Sequence, residues 1–208
     1  MSVIVAIKEN GKIYVGADSQ ATAGGCRSSL TNPNNYKIWK VKDSKNCIMG
    51  HVGSLRDACA IRILHCFIDE NEMMKFDSKF DYVVFNVEPK IRDTLIDHKF
   101  IGDEKPYDDM DSRFLFCHKD KMFTISYGAI IEHDNYLAIG SGESSAIGSL
   151  VSTEGLYSPE ERIIMAIKAS AVNDIHVDYP IIITDTETMK FKVVFEKDRL
   201  NQNSKEDV

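Results

Sequence analysis

The chain has 208 residues, 43% of them hydrophobic, and a formal net charge of −7. That suits one domain, residues 1–200, with a sizeable core. The acidic balance, with no clustered Lys and Arg, argues against a nucleic-acid partner held through its phosphates. No apolar run approaches the roughly 20 residues needed to cross a membrane.

Five cysteines, with no CxxC pair and no secretory leader, point to a reducing, cytoplasmic setting in which thiols act as small apolar residues. The histidines show no HExxH or paired-ligand spacing. Neither a GxGxxG nor a P-loop pattern occurs, so no side-chain metal site and no nucleotide cofactor is expected.

In chain order, residue 2 comes first. If Met1 is removed, the chain begins with Ser2, the hydroxyl residue that opens an apolar strand over 2–8. A hydroxyl residue at a free N-terminus carries a nucleophile and a base on one Cα. The α-amine, with a pKa of roughly 7.7–8.0, is partly neutral near pH 7 and can accept the hydroxyl proton. Asn10-Gly11 supplies the positive φ angles of a tight hairpin turn. The return strand, 13–17, ends at Asp18 and brings it back beside Ser2.

Residues 20–35, rich in Gly, Ser, Thr and Asn, read as a loop. Short strands follow over 36–41 and 46–50. A helix opens at Gly53-Ser54 with Leu55, Cys59, Ile63, Cys66 and Phe67 on one face. A second is expected over 82–98, with Val84, Val87, Ile91 and Leu95 aligned and Pro89 marking a late start. Residues 100–112 form an acidic surface excursion. A hairpin over 113–127 and a strand over 136–140 come next, then a helix over 143–152. Ser158-Pro159-Glu160-Glu161 is a capping box heading a helix over 159–172. Strands over 179–185 and 190–196 precede a polar tail, 201–208, expected to be disordered. Two antiparallel sheets with helices on both outer faces would bury every apolar stripe, so the fold class is α+β, a four-layer αββα sandwich.

Local patterns stand in a fixed order: Ser2-Val-Ile-Val-Ala, Val15-Gly-Ala-Asp18, Tyr36-Lys37-Ile38, Gly50-His-Val-Gly53-Ser-Leu-Arg-Asp57-Ala and Ala138-Ile-Gly140-Ser141-Gly142. A helix ending Ala171-Val-Asn-Asp174 follows. This succession resembles the proteasome β-subunit family of N-terminal nucleophile hydrolases, with its strongest likeness to the bacterial HslV-type peptidase that pairs with an AAA+ ATPase. The resemblance covers residues 2–60 and 137–185 best.

It implies that Ser2 is the nucleophile where the family has Thr, with Asp18 and Lys37 as its ion pair. Lys40 competes with Lys37 because the preceding loop is longer than in the bacterial peptidase. Gly53 would stabilise the oxyanion through its N–H, and Ser141 and Asp174 would support the amine of residue 2. Thr22 would lie on the strand edge that aligns a peptide, and His51 and Leu55 at the pocket for the residue before the cleaved bond. The family further implies stacked hexameric or heptameric rings, an AAA+ ATPase unfoldase as partner and unfolded polypeptides as substrate. A structural cation on backbone carbonyls near residues 173–179 stays open.

The chemistry is coherent without the family. Lys37 would stabilise a developing alkoxide, Asp18 would keep that lysine charged, and the Ser2 amine would take the hydroxyl proton. Serine lacks the γ-methyl that restricts a threonine rotamer. Each residue also admits an ordinary role: Asp18 as a strand end, Lys37 as a solvated charge, Gly53 as a helix start, Ser141 and Asp174 as caps. Their joint order favours the catalytic reading. A catalytically silent ring subunit and a small-substrate amidase of the same fold are the alternatives.

Overall fold

A computed structural model describes residues 2–64, 68–105 and 111–196. Cys66 and Phe67 of the expected helix face, and the tail 201–208, lie outside the described residues. β1 (Val3–Glu9) and β2 (Lys12–Ala17) form the predicted hairpin, with Asn10 and Gly11 at φ 53° and 75°. The register sets Ile4 opposite Ala17. The next residue in β2's direction, Asp18, therefore falls level with Val3.

Residues 20–35 are not a plain loop. β3 (Gln20–Ala23) and β4 (Cys26–Ser29) pair as a separate ribbon, followed by a short 3-10 turn, Pro33–Asn35. Its composition hid it, because a two-stranded ribbon buries little and needs no apolar alternation. β5 (Ile38–Lys40) and β6 (Cys47–Val52) then lead to α1, Leu55–Arg62.

The expected apolar face of α1 is inverted. Asp57, Ala58, Ala60 and Ile61 are buried, whereas Leu55 is 49% and Ile63 57% exposed. The small Ala58 and Ala60 allow close approach to the sheet, and Asp57 finds a buried hydroxyl donor there.

After α2 (Glu70–Met73), α3 (Lys79–Tyr82) runs through a π-helical turn, Val83–Val87, into α4, Glu88–Asp97. The wider turn explains two differences from the expected helix. It lies immediately ahead of Pro89, whose ring would clash with the carbonyl four residues earlier in an α-helix. It also shifts the buried stripe by one residue, so that Val83 rather than Val84 joins Val87, Ile91 and Leu95 in the core.

β7 (Arg113–His118) and β8 (Lys121–Ser126) form the expected hairpin, and β9 (Ala129–His133), unforeseen, extends it. β9 is an edge strand with a half-exposed pattern, so its alternation carries little signal. β10 (Tyr136–Gly140), α5 (Glu143–Ser152), α6 (Pro159–Asn173), β11 (Ile181–Asp185) and β12 (Lys192–Val194) complete the order. The capping box at Ser158 and Glu161 is present.

One sheet has the order β10-β1-β2-β11-β12 and the other β5-β6-β7-β8-β9, all antiparallel. Ile4, Val15, Ile38, Ile48, Leu115 and Ile139 meet between the sheets. Val3, Val5, Leu150, Ile163 and Ile167 pack the first sheet against α5 and α6. Met49, Ile61, Val87, Ile91, Phe114 and Phe116 pack the second against α1 to α4. The four-layer sandwich is therefore observed. β1, an interior strand of its sheet, is buried on both faces, and its first residue sits at the sandwich end where β2, β5 and α1 converge.

Gly16 allows α6 to lie close on β2. A Cβ there would sit 2.2 Å from Ile163 Cγ2. Gly16→Ala is expected to lower stability by about 1–3 kcal/mol, as overpacking of a filled core does, measured by urea unfolding.

Candidate active site

The position of Ser2 is fixed from its own backbone. The Ser2 nitrogen donates to Ser141 Oγ at 3.1 Å, and the Gly142 N–H donates to the Ser2 carbonyl at 3.3 Å. That approach requires glycine in the β10–α5 turn. A Cβ on Gly140, at φ 110°, would lie 2.1 Å from the Ser2 carbonyl oxygen, and one on Gly142 would lie 2.7 Å from Ser170 Cβ. Ser170 Oγ in turn donates to the Gly142 carbonyl at 2.8 Å and braces the turn from α6.

One residue further, the Val3 N–H donates to Asp18 Oδ1 at 2.9 Å, while the Asp18 N–H returns a bond to the Val3 carbonyl. Asp18 is fully buried. Besides Val3 it accepts from the Gln20 N–H at 3.0 Å and from Lys37 Nζ at 2.7 and 2.8 Å. Lys37, 8% exposed, immediately precedes β5, and Asp18 is its one ion-pair partner among the described residues. Lys40 is exposed in β5 opposite Ile48, so the competition between the two lysines resolves to Lys37.

Burial pushes the Lys37 ammonium below its ordinary value, and Asp18, then Asp174, oppose that shift. Burial likewise raises the Asp18 carboxyl, opposed by Lys37 and the two backbone donors. The result is a cation one carboxylate away from the Ser2–Val3 peptide, with a reduced hold on its proton.

Gly53 lies in the turn between β6 and α1 at φ 126°. The His51 N–H bonds to the Lys37 carbonyl, on the β5 side of β6. Alternation along a strand therefore turns the N–H of Gly53, two residues on, to the same side. Gly53, Gly140 and Ser141 line one cavity of about 250 Å³ together with Val52, Asp111, Arg113 and Tyr127. The structure thus brings Ser2, Asp18, Lys37, Gly53 and Ser141 to one end of the sandwich.

Asp174 caps α6. Its Oδ1 accepts from the His176 N–H, and its Oδ2 has no hydrogen-bond partner among the described residues. It acts on Lys37 through space and makes no bond to the Ser2 nitrogen.

The expected substrate contacts fare differently. Thr22 lies on the β3–β4 ribbon rather than on an edge of either main sheet. It is tied by Gln20 Nε2 at 3.2 Å to the segment after α6, where Gln20 also reaches the Ile175 carbonyl. Leu55 is 49% exposed on the outer face of α1, away from the buried Asp57, Ala58 and Ile61. His51 is only 4% exposed. Its ring packs on Phe114 and bonds to Ser112. Sequence reasoning missed Gly140, Ser170, Gln20 and Ser112. Only Gly140 lay in a quoted motif; the others are brought in by pairing across 28 or more residues or, for Gln20, by a backbone N–H.

Among the described residues no cluster of His, Cys, Asp and Glu could hold a metal ion, and no helix is long and apolar enough to cross a membrane.

No protein-family model matches the chain. Over 147 residues it is 27% identical to the ATP-dependent protease subunit HslV of Cytophaga hutchinsonii, covering 70% of this chain and 72% of that one. Anbu, an ancestral beta-subunit from Yersinia bercovieri, superposes with a TM-score of 0.71 at 14% identity, over 97% of this chain and 90% of that chain. BPH of Thiobacillus denitrificans, solved with epoxomicin, gives 0.64 at 17% identity, over 89% and 98%. The two solved structures share the fold.

Two measurements probe the site's physics. Asp18→Ala leaves the Lys37 ammonium buried without a partner, and a loss of about 3–5 kcal/mol in urea unfolding is expected. Burial holds His51 down to about 3, so the unfolded chain binds a proton there that the folded protein refuses. This contribution is intact above the unfolded value near 6.5 and is lost on acidification, at up to about 1.4 kcal/mol per pH unit. Comparing urea midpoints at pH 7 and pH 5 for the wild type and His51→Gln should show the smaller acid loss in the variant.

Proposed function

We propose, on the premise that the chain belongs to the proteasome-like family of N-terminal nucleophile hydrolases, that it is a peptidase subunit and that Ser2, freed by removal of Met1, is its nucleophile. The 27% identity to an HslV subunit and the shared fold support that premise. One observation carries the finer reading: the Ser2 nitrogen rests on Ser141 Oγ while the next peptide N–H shares the Asp18 carboxylate with Lys37. A serine that merely began a strand would need neither a buried ion pair nor a hydroxyl held at its nitrogen.

On this reading each group has one task. With Met1 gone, the Ser2 nitrogen becomes an α-amine, oriented by Ser141, that takes the Ser2 hydroxyl proton. Lys37 stabilises the alkoxide as it forms, and Asp18 holds Lys37 in place. Ser2 Oγ bonds to the substrate carbonyl carbon, and the resulting oxyanion accepts from the Gly53 N–H at the start of α1. Collapse of the tetrahedral species breaks the C–N bond, and the departing amine leaves with the proton. Water then hydrolyses the ester, returning Ser2.

Similarity to an ATP-dependent protease subunit supports assembly into a larger protease. We take the rings to be stacked hexamers or heptamers fed with unfolded polypeptide by a separate AAA+ ATPase, since this sequence has no phosphate-binding motif of its own. The small cavity beside Gly53 suits an extended chain better than a folded one.

Intact mass tests the reading. The protein from cells should lack Met1, and a peptide epoxyketone or β-lactone should add once, at Ser2. Ser2→Ala should take no adduct, and Ser2→Thr should retain it. Met1 still attached, or a folded Met-free protein that stays unmodified, would overturn the assignment.

A further inference from the structure

A hydrogen-bonded chain with no assigned role runs behind the Gly53 turn. Ser112 Oγ donates to Asp57 Oδ2 at 2.7 Å and lies 2.9 Å from His51 Nε2. All three side chains are buried. A hydroxyl has one proton, and here it goes to a carboxylate, which only accepts. His51 must therefore donate from Nε2 to the hydroxyl oxygen. The bonds run His51 to Ser112 to Asp57 in one direction.

Their placement is what matters. His51 is two residues before Gly53, on β6, and Asp57 is four residues after it, in the first turn of α1. Ser112 comes from a distant part of the chain, immediately before β7. A Cβ on Gly53 would lie 2.4 Å from the Asp111 carbonyl oxygen, 2.8 Å from Ser112 Oγ and 2.9 Å from Ser112 Cα, so the Asp111–Ser112 segment, with the serine hydroxyl, fills the space beside the glycine. Gly53 has no side chain with which to hold its own φ of 126°, a conformation that other residues rarely adopt. The turn's orientation has to be imposed by its neighbours. One hydroxyl bonded to both flanks does this. Ser54, the N-cap of α1, makes no side-chain cap bond that could do it instead. The His51 N–H, bonded to the Lys37 carbonyl, ties the same strand to the segment that carries the lysine.

We propose that Ser112, held between His51 and Asp57, is a positioning residue that aims the Gly53 N–H at the oxyanion. This rests on the assignment of Gly53 and Ser2 above. Ser112 touches no reacting atom; it acts through the turn. A buried chain of bonds satisfied at every link is stiff, and a donor displaced by a fraction of an ångström loses much of its effect on a transition state.

The test uses the full-length assembled protein, a fluorogenic peptide amide and a peptide aldehyde whose hemiacetal oxygen occupies the oxyanion position. Ser112→Ala should lower kcat by about 10- to 100-fold with KM within about twofold, and weaken the aldehyde in parallel. Asp57→Ala should behave alike, and Asp57→Asn, which still accepts the hydroxyl proton, should recover most of the loss. Ser112→Cys keeps the volume with a weaker donor, and an intermediate kcat is expected; it replaces the alanine variant if that one does not fold. A folded Ser112 variant with unchanged kcat and aldehyde affinity, or with only KM raised, overturns this inference while leaving the function standing. A wild-type protein that takes no adduct at Ser2 overturns the function and this inference together.

Discussion

The Asp18–Lys37 pair is the constraint around which this end of the molecule is organised. A fully buried carboxylate is tolerable only when its oxygens are occupied, and Asp18 accepts four bonds from three donors: the Val3 and Gln20 N–H groups and Lys37 Nζ, which reaches both oxygens. Each donor comes from a different place. Val3 is in β1, Gln20 opens β3, and Lys37 precedes β5 in the opposite sheet. One carboxylate thus ties the two sheets together next to the first residue of β1. Breaking any of these bonds exposes a charge to a medium that cannot solvate it, so the geometry is held by energetic necessity.

The site's second constraint is backbone proximity. Gly140 and Gly142 bring the β10–α5 turn onto Ser2 at distances no Cβ would allow, and Gly53 turns β6 into α1 in a conformation that favours glycine. Absent side chains create the room, and hydroxyls fill it: Ser141 at the Ser2 nitrogen, Ser170 under the turn, Ser112 behind Gly53. A serine fits such places because it is small and both accepts and donates. The same economy at residue 2 leaves an unbranched hydroxyl whose rotamer its own side chain does not restrict. The packing of the surroundings therefore has to supply what a γ-methyl would.

Much of this was legible in the chain. Asn10-Gly11 fixes the first hairpin, and with it the return of Asp18 to Val3, because a two-residue turn determines register. The Ser158–Glu161 box marks the start of α6 without reference to anything distant. The α1 face was misread for an instructive reason. Leu55, Cys59 and Ile63 do form an apolar stripe, but the buried stripe carries Asp57, chosen by a hydroxyl donor 55 residues away. Periodicity reports that a helix has two faces; it does not report which one the sheet accepts. The β3–β4 ribbon and β9 were missed because strands that bury little lack the alternation by which strands are recognised.

By itself, the sequence determined the local and near-local events: where chains turn, where helices begin, and which strand is buried on both faces. Only the tertiary structure paired Asp18 with Lys37 rather than Lys40, buried His51 while exposing Leu55, and joined Ser112 to Asp57 across the Gly53 turn. The reason is physical. Turn chemistry and caps act over a few residues and are written in them. Burial of a charge or a hydroxyl depends on partners that arrive from other elements, and their arrival is settled by packing.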